Sequence, residues 1–130
     1  MERELPGTGT TVGAILDFQG AVRGIEDGRV IEGIEYEAHE TMARSQLERI
    51  ARETMDKFGL EKVVIRHRVG FVRAGEASLL VRLASAHRAE SLKAMVFLID
   101  ELKKKVPIWK HPKFSKGEVA SASTAAEVSS

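Results

Sequence analysis

Lys103 and Lys110 have the residue type and the position in the chain to do chemistry. Lys103 lies on a stripe of apolar residues that recur at helical spacing over residues 90–106, and Lys110 follows behind the helix-ending Pro107. A lysine on such a stripe either extends its ammonium group to solvent or is held in a pocket that uses it. The stripe consists of Leu92, Met95, Val96, Ile99, Leu102 and Val106.

A lysine held in a pocket has several uses. If it is buried, it can lose its proton and act as a base or form an imine; if it stays charged, it can hold an anion or stabilise a developing oxyanion. The competing interpretation is that Lys103 only extends to solvent at the helix end, while Trp109 fills the core beside a surface Lys110. The pattern alone leaves both interpretations open.

The dipeptide His87-Arg88 falls where a predicted strand ends and a predicted helix begins. Unpaired backbone amides at a helix N-terminus favour anions, and an adjacent arginine adds a bidentate donor. This junction is therefore a candidate seat for a phosphate or carboxylate, with an exposed polar loop as the alternative.

A second such dipeptide, His67-Arg68, ends the preceding predicted strand. Alternation places His67 on the same face as Val63 and Ile65, so we interpret it as a hydrogen-bonded histidine of the sheet. Arg68 is expected to brace the next loop, and neither residue is assigned a catalytic function.

Arg23 lies in a loop with three glycines and could reach an anionic ligand, because glycine lets the backbone approach closely. The signal is weak by itself, since the chain has no glycine-rich phosphate loop followed by Lys-Ser or Lys-Thr. The four histidines are scattered without paired spacing, so the sequence predicts no metal site.

Composition narrows the class of protein. The chain has 130 residues, a formal charge of +1 and no cysteine, which fits one domain without a disulfide framework or a thiolate metal site. A near-neutral chain with few aromatic residues does not favour binding to nucleic acid. No signal peptide or apolar run long enough for a membrane span is recognisable, so we expect a cytoplasmic protein.

The periodicity predicts four strands and two amphipathic helices. The strands are expected at 12–19, 30–37, 62–68 and 77–85, and the helices at 40–58 and 90–106, with Gly59 ending the first helix. This order predicts an α+β fold with a mostly antiparallel sheet. We expect a flexible N-terminal arm over 1–11, a domain over 12–114 and a disordered tail over 115–130.

Five segments together resemble the large, catalytic subunit of molybdopterin synthase. They occur in that family's order and approximate spacing, and they span most of the predicted domain. The segments are FQGAVRG, YEAHETMA, HRVGFVRAGE, SAHRAES and LKKKVPIWK.

The resemblance implies a fold similar to the α/β-hammerhead and a sulfurtransferase of molybdenum cofactor biosynthesis. The family inserts two sulfur atoms into cyclic pyranopterin monophosphate to form the molybdopterin dithiolene. The sulfur arrives as a thiocarboxylate on the C-terminal Gly-Gly of a small ubiquitin-like carrier subunit. The resemblance also implies a homodimer at the centre of a heterotetramer, with no metal or other cofactor.

The resemblance also implies functional residues. Lys103 and Lys110 match the two active-site lysines of the family, and His87 and Arg88 match contacts to the phosphate and the pterin. Arg23 matches a substrate contact, and two neighbours are expected to allow backbone approach, Ala21 and Val22.

The chain departs from the family's usual pattern after the second lysine, where His111 and Pro112 replace a basic residue and a glutamate. These two residues are expected to lie at the substrate. The alternative function is a non-catalytic homologue that binds the carrier or a pterin.

Overall fold

Two helices pack on a curled antiparallel sheet in the computed structural model, which describes residues 9–115 and the backbone alone of residues 126–129. The predicted α+β class is confirmed. In chain order the elements are β1 (Ala14–Ala21), β2 (Ile25–Glu26), β3 (Arg29–Ala38), α1 (Glu40–Phe58), β4 (Lys62–Arg73), β5 (Ala77–Ser85), α2 (Arg88–Lys105), β6 (Ile108–Phe114) and β7 (Ala126–Ser129).

The long strand β4 joins two parts of the sheet. Its first half, 62–67, pairs with β5, whose other edge pairs with β1. Its last residues, 70–73, pair instead with β3. Gly70, the first residue of this second part, has φ 90°, a conformation that glycine adopts without steric cost. The strand predicted to end at Arg68 therefore continues to Arg73, because Gly70 bends the strand and does not end it.

Strand β6, which the sequence pattern did not predict, pairs with β3 along its length. Its proline at position 112 lacks a backbone N–H, which is tolerated because β6 has β3 as its one partner among the described residues. The segment after Pro107 is therefore an edge strand that carries Lys110.

Helix α1 buries the face that its periodicity predicted. Its buried residues are Ala43, Leu47, Ile50, Ala51 and Thr54, and Gly59 caps the helix with φ 65°. The main core lies between the two helices and the sheet, with Ile65, Val81, Leu83 and Leu98 fully buried. A smaller cluster under β3 contains Val22, Ile31, Ile34, Tyr36 and Val72.

Helix α2 corrects the interpretation of the apolar stripe. The face turned to the core consists of Ser91, Ala94, Met95, Leu98 and Leu102. Leu92 and Val96 are 52% and 65% exposed. These two residues, the half-buried Ile99 and Lys103 recur at helical spacing along a neighbouring face. Lys103 therefore ends a partly exposed apolar face and does not point into the core.

Gly33 lies on β3 between β4 and β6, where a side chain has no room. A Cβ on Gly33 would approach the backbone oxygen of Val72 to 2.3 Å and the Phe71 ring to 2.6 Å. Gly33→Ala should therefore destabilise the protein by about 1–3 kcal/mol, as overpacking usually does, measured by denaturant unfolding. Gly24→Ala is the control, because its Cβ would meet only the Cβ of Ala74 at 3.9 Å. Equal stability of the two variants would contradict this packing.

Much of the predicted arm and tail, namely residues 1–8, 116–125 and 130, lies outside the described residues. Within the predicted tail, 126–129 form β7, which pairs with residues 66–69 of β4. No helix in the described part of the chain is long and apolar enough to cross a membrane.

Candidate active site

A cavity of about 500 Å³ lies between the sheet and the C-terminal end of α2. Its polar side chains are Tyr36, His67, Ser78, Lys103 and Lys110. We call it the lysine cavity. Its size is ordinary for a small-molecule site. Most of the remaining wall is apolar, from Phe18, Leu47, Leu79, Ile99, Leu102, Val106 and Ile108.

The structure brings Lys103 and Lys110 to the same cavity, from opposite sides of the Pro107 turn. Lys103 lies in the last turn of α2 and Lys110 on β6, and both are exposed. Trp109 is 52% exposed, which excludes its interpretation as a core residue. Two cations beside an apolar pocket attract an anionic ligand and stabilise charge that develops there.

The neighbouring lysines of α2 do not line the cavity. Lys105 forms an ion pair with Glu101 one turn earlier, at 2.7 Å. This pair lowers the pKa of Glu101 and raises the pKa of Lys105. Helical spacing thus selects Lys103 from a run of three lysines.

Strand register explains the orientation of Lys110. It lies opposite Tyr36 on β3, and alternation puts both side chains on the cavity face of this part of the sheet. Trp109 and His111 project to the other face, where His111 Nε2 lies 3.0 Å from Glu37 Oε1. Neither His111 nor Pro112 lines the cavity. Their predicted substrate contacts stay predictions.

His67 is a hydrogen-bonded histidine of the sheet, as predicted, and it also lines the cavity, which the sequence analysis did not predict. Its Nδ1 lies 2.8 Å from the backbone oxygen of Arg68, and its ring packs edge-to-face on Tyr36 with the centroids 5.1 Å apart. Burial lowers the pKa of His67, the hydrogen bond to the Arg68 carbonyl opposes this, and the charge of Lys110 adds to the lowering. The imidazole is therefore neutral near pH 7. The signal available in the sequence was alternation, which shows which face His67 occupies but not what lies opposite it.

Arg68 braces the β4–β5 turn, as the sequence predicted. Its Nη1 lies 3.4 Å both from Glu76 Oε1 and from the backbone oxygen of Ala77. The bracing keeps this turn against the loop that follows β1, where the Val22 N–H donates to the Glu76 carbonyl at 2.9 Å.

Of the two residues expected to allow backbone approach to the substrate, one lines the cavity and the other is buried in the core. Ala21 lines the cavity, but Val22 is 3% exposed and belongs to the smaller core. Both backbone groups of Val22 are hydrogen-bonded to the β4–β5 turn, and its carbonyl accepts from Gly75 at 2.7 Å. They are not open to a ligand. The buried Val22 anchors the loop from which the exposed Arg23 projects.

His87 and Arg88 lie at the opposite end of α2 from Lys103. Fifteen residues at 1.5 Å per residue separate Arg88 from Lys103 by roughly 22 Å along the helix axis. Neither His87 nor Arg88 lines the lysine cavity. Within one chain the structure therefore does not unite the predicted anion seat with the two lysines.

The strand-to-helix junction around His87 is held by two buried serines. Ser85 Oγ donates to the His87 carbonyl at 2.6 Å, and because that hydroxyl is thereby used as a donor, Ser91 donates to Ser85 Oγ at 2.7 Å. The His87 side chain makes no capping hydrogen bond. The serines fix the backbone of the junction and leave the first helical amides without a cap from His87.

Comparison with known proteins gives the family. A match to the MoaE protein family covers residues 3–105. The chain belongs to the MoaE family. It is 38% identical over 109 residues to the molybdopterin synthase catalytic subunit of Pyrococcus abyssi, which covers 84% of this chain and 74% of that protein. The rice protein of the same name is 42% identical over 82% of this chain, but the match spans only 55% of its own length.

Solved structures agree with this MoaE family assignment. The molybdopterin synthase of Staphylococcus aureus superposes with a TM-score of 0.75 and 31% identity, covering 85% of this chain and 81% of that one. A complex of subunits 1 and 2 of the molybdopterin-converting factor of Helicobacter pylori has the same fold, with a TM-score of 0.62 at 24% identity over 83% of this chain and 75% of that one. At the level of the family, these matches confirm the predicted molybdopterin synthase catalytic subunit.

Proposed function

We propose that this chain is the catalytic subunit of a molybdopterin synthase. It transfers sulfur from a thiocarboxylated small carrier subunit to cyclic pyranopterin monophosphate, forming the molybdopterin dithiolene, and it works in the cytoplasm. The observation that carries the proposal is the convergence of Lys103 and Lys110 on one cavity. The names of the relatives support the same reaction.

The lysine cavity suits the end of such a carrier. A C-terminal Gly-Gly has no side chains, so it can enter a narrow apolar cleft and bring its terminal anion to the lysines. One ammonium group then orients the thiocarboxylate, and the other stabilises the negative charge that develops on the acyl oxygen or the opening cyclic phosphate. The solved complex of two converting-factor subunits supports a partner for this fold.

The separation between the two ends of α2 favours a site that is shared between two protomers. One phosphate group cannot contact both Arg88 and Lys103 of one chain across roughly 22 Å of helix. We propose a homodimer, at the centre of a heterotetramer with two carriers, in which one protomer supplies His87 and Arg88 to the cavity of the other. Exposed apolar residues such as Val96, at 65% exposure, provide surface that a dimer could cover.

Reconstitution tests the proposal. The purified chain is mixed with a small carrier that ends in a Gly-Gly thiocarboxylate and with cyclic pyranopterin monophosphate, and the dithiolene product is detected by mass spectrometry. Product is expected only with the thiocarboxylate form, and the carboxylate form is the control. Carrier binding in calorimetry without any product would select the non-catalytic homologue instead.

A further inference from the structure

We infer that His67 is a further catalytic residue of the lysine cavity, the general base that activates the water molecule releasing sulfur from the carrier. This inference rests on the proposed function and adds a residue to it. Two observations support it, namely the tautomer that the hydrogen bonding imposes and the position of the ring in the cavity. The chemical steps of sulfur transfer supply the rest of the argument.

Hydrogen bonding fixes the tautomer of His67. The backbone oxygen of Arg68 can only accept, so Nδ1, 2.8 Å away, carries the proton. In the neutral ring Nε2 is then an acceptor with a free lone pair. No hydrogen bond joins Nε2 to another group in the part of the chain that the structure describes with side chains, nor is it a buried atom lacking a partner there. It therefore has solvent-accessible surface, and because His67 lines the cavity, a water molecule or a ligand there can donate to it.

The surroundings of His67 keep this ring neutral and fixed. Tyr36 packs against it from β3, and Lys110 and Lys103 share the cavity from β6 and α2. From β1, β5 and α1 the described cavity residues are apolar, apart from the Ser78 hydroxyl. Among these residues there is no carboxylate, and the charge of Lys110 opposes a second proton on the ring. A base that is neutral at pH 7 and held by its other nitrogen is prepared to accept a proton.

Sulfur transfer requires such a base. Once the thiocarboxylate sulfur has bonded to a substrate carbon, it is still bonded to the acyl carbon of the carrier, and water must cleave that acyl bond. The water oxygen bonds to the acyl carbon while one water proton passes to Nε2 of His67. The acyl carbon–sulfur bond then breaks with its electron pair on sulfur. The thiolate takes the proton from His67, and the new carboxyl group releases the other water proton to solvent.

The cations complete this step. Addition of water places negative charge on the acyl oxygen, which Lys103 or Lys110 can stabilise. His67 removes the proton that makes water a poor nucleophile. The two functions need opposite protonation states, a charged lysine and a neutral histidine, and the cavity holds both kinds of group side by side.

His67→Asn tests the inference. The asparagine amide nitrogen can occupy the place of Nδ1 and donate to the Arg68 carbonyl, so the structural hydrogen bond is kept while Nε2 is lost. In a single turnover with the thiocarboxylated carrier and cyclic pyranopterin monophosphate, the variant should form the acyl-sulfur adduct at the wild-type rate. Hydrolysis of the adduct should slow by about 10²–10⁴-fold, so mass spectrometry should detect adduct that accumulates. His67→Gln places an amide near the position of Nε2 but supplies no base, so its adduct should also accumulate and hydrolyse slowly.

The wild-type chain gives a test that needs no variant to fold. Its hydrolysis rate should fall as the pH drops through the pKa of His67, which lies below the ordinary histidine value. A rate that stays flat down to the lowest pH at which the chain remains folded, or wild-type hydrolysis by a folded His67→Asn, would overturn the inference and leave the proposed function standing. Absence of any product with the wild-type chain would instead overturn the proposed function and this inference with it.

Discussion

Replacing Lys103 with alanine should reduce turnover by about 10²–10³-fold, the loss typical when one charge-stabilising group is removed from a transition state. Lys103 lies at the cavity, where it can meet the thiocarboxylate or the opening phosphate. Its side chain is exposed and contributes nothing to the core, so the fold should survive. Activity is measured as dithiolene formed per chain in the reconstituted reaction, and the fold by thermal unfolding.

Lys104→Ala is the matched control. It removes the same side chain from the adjacent position of α2, changes net charge equally, and lies outside the cavity lining. It should keep wild-type turnover. Equal activity of the Lys103 and Lys104 variants would reject a catalytic role for Lys103.

Mixing two inactive variants should restore activity. If one protomer supplies Arg88 to the cavity of the other, then Arg88→Ala and Lys103→Ala damage the same composite site from different chains. A mixed dimer has one doubly damaged site and one intact site. Random mixing makes half of the dimers mixed, so roughly a quarter of wild-type activity should return, measured after co-refolding equal amounts of the two variants.

The control pairs Lys103→Ala with Lys110→Ala. Both residues belong to the same cavity of one chain, so each site of a mixed dimer keeps one damaged lysine and activity should not return. Recovery in neither mixture would contradict the composite site. Recovery in both would show that the variants do not report on separate chains.

The sequence indicated the candidate site residues more readily than the contacts that surround them. Lys103, Lys110 and Arg88 carry their signal in residue type and local position, which a single chain displays directly. The boundaries of α1 also follow from local chemistry, because its apolar face and Gly59 act within the helix itself. The extension of β4 could not be predicted in this way, because it depends on pairing with a distant strand. Gly70 resembles a loop residue until its partner strand β3 is known.

The amino-acid sequence by itself determined the fold class and the family, and it singled out Lys103 and Lys110. Periodicity, helix-ending residues and motifs can all be read directly from one chain, without knowledge of its contacts. The tertiary structure decided that Lys103 and Lys110 meet at one cavity, and that His67 lines the same cavity with its Nδ1 already hydrogen-bonded. It also decided that His87 and Arg88 stand a helix length away from Lys103. These facts depend on strand register and helix rotation, which are set by contacts between residues far apart in the chain.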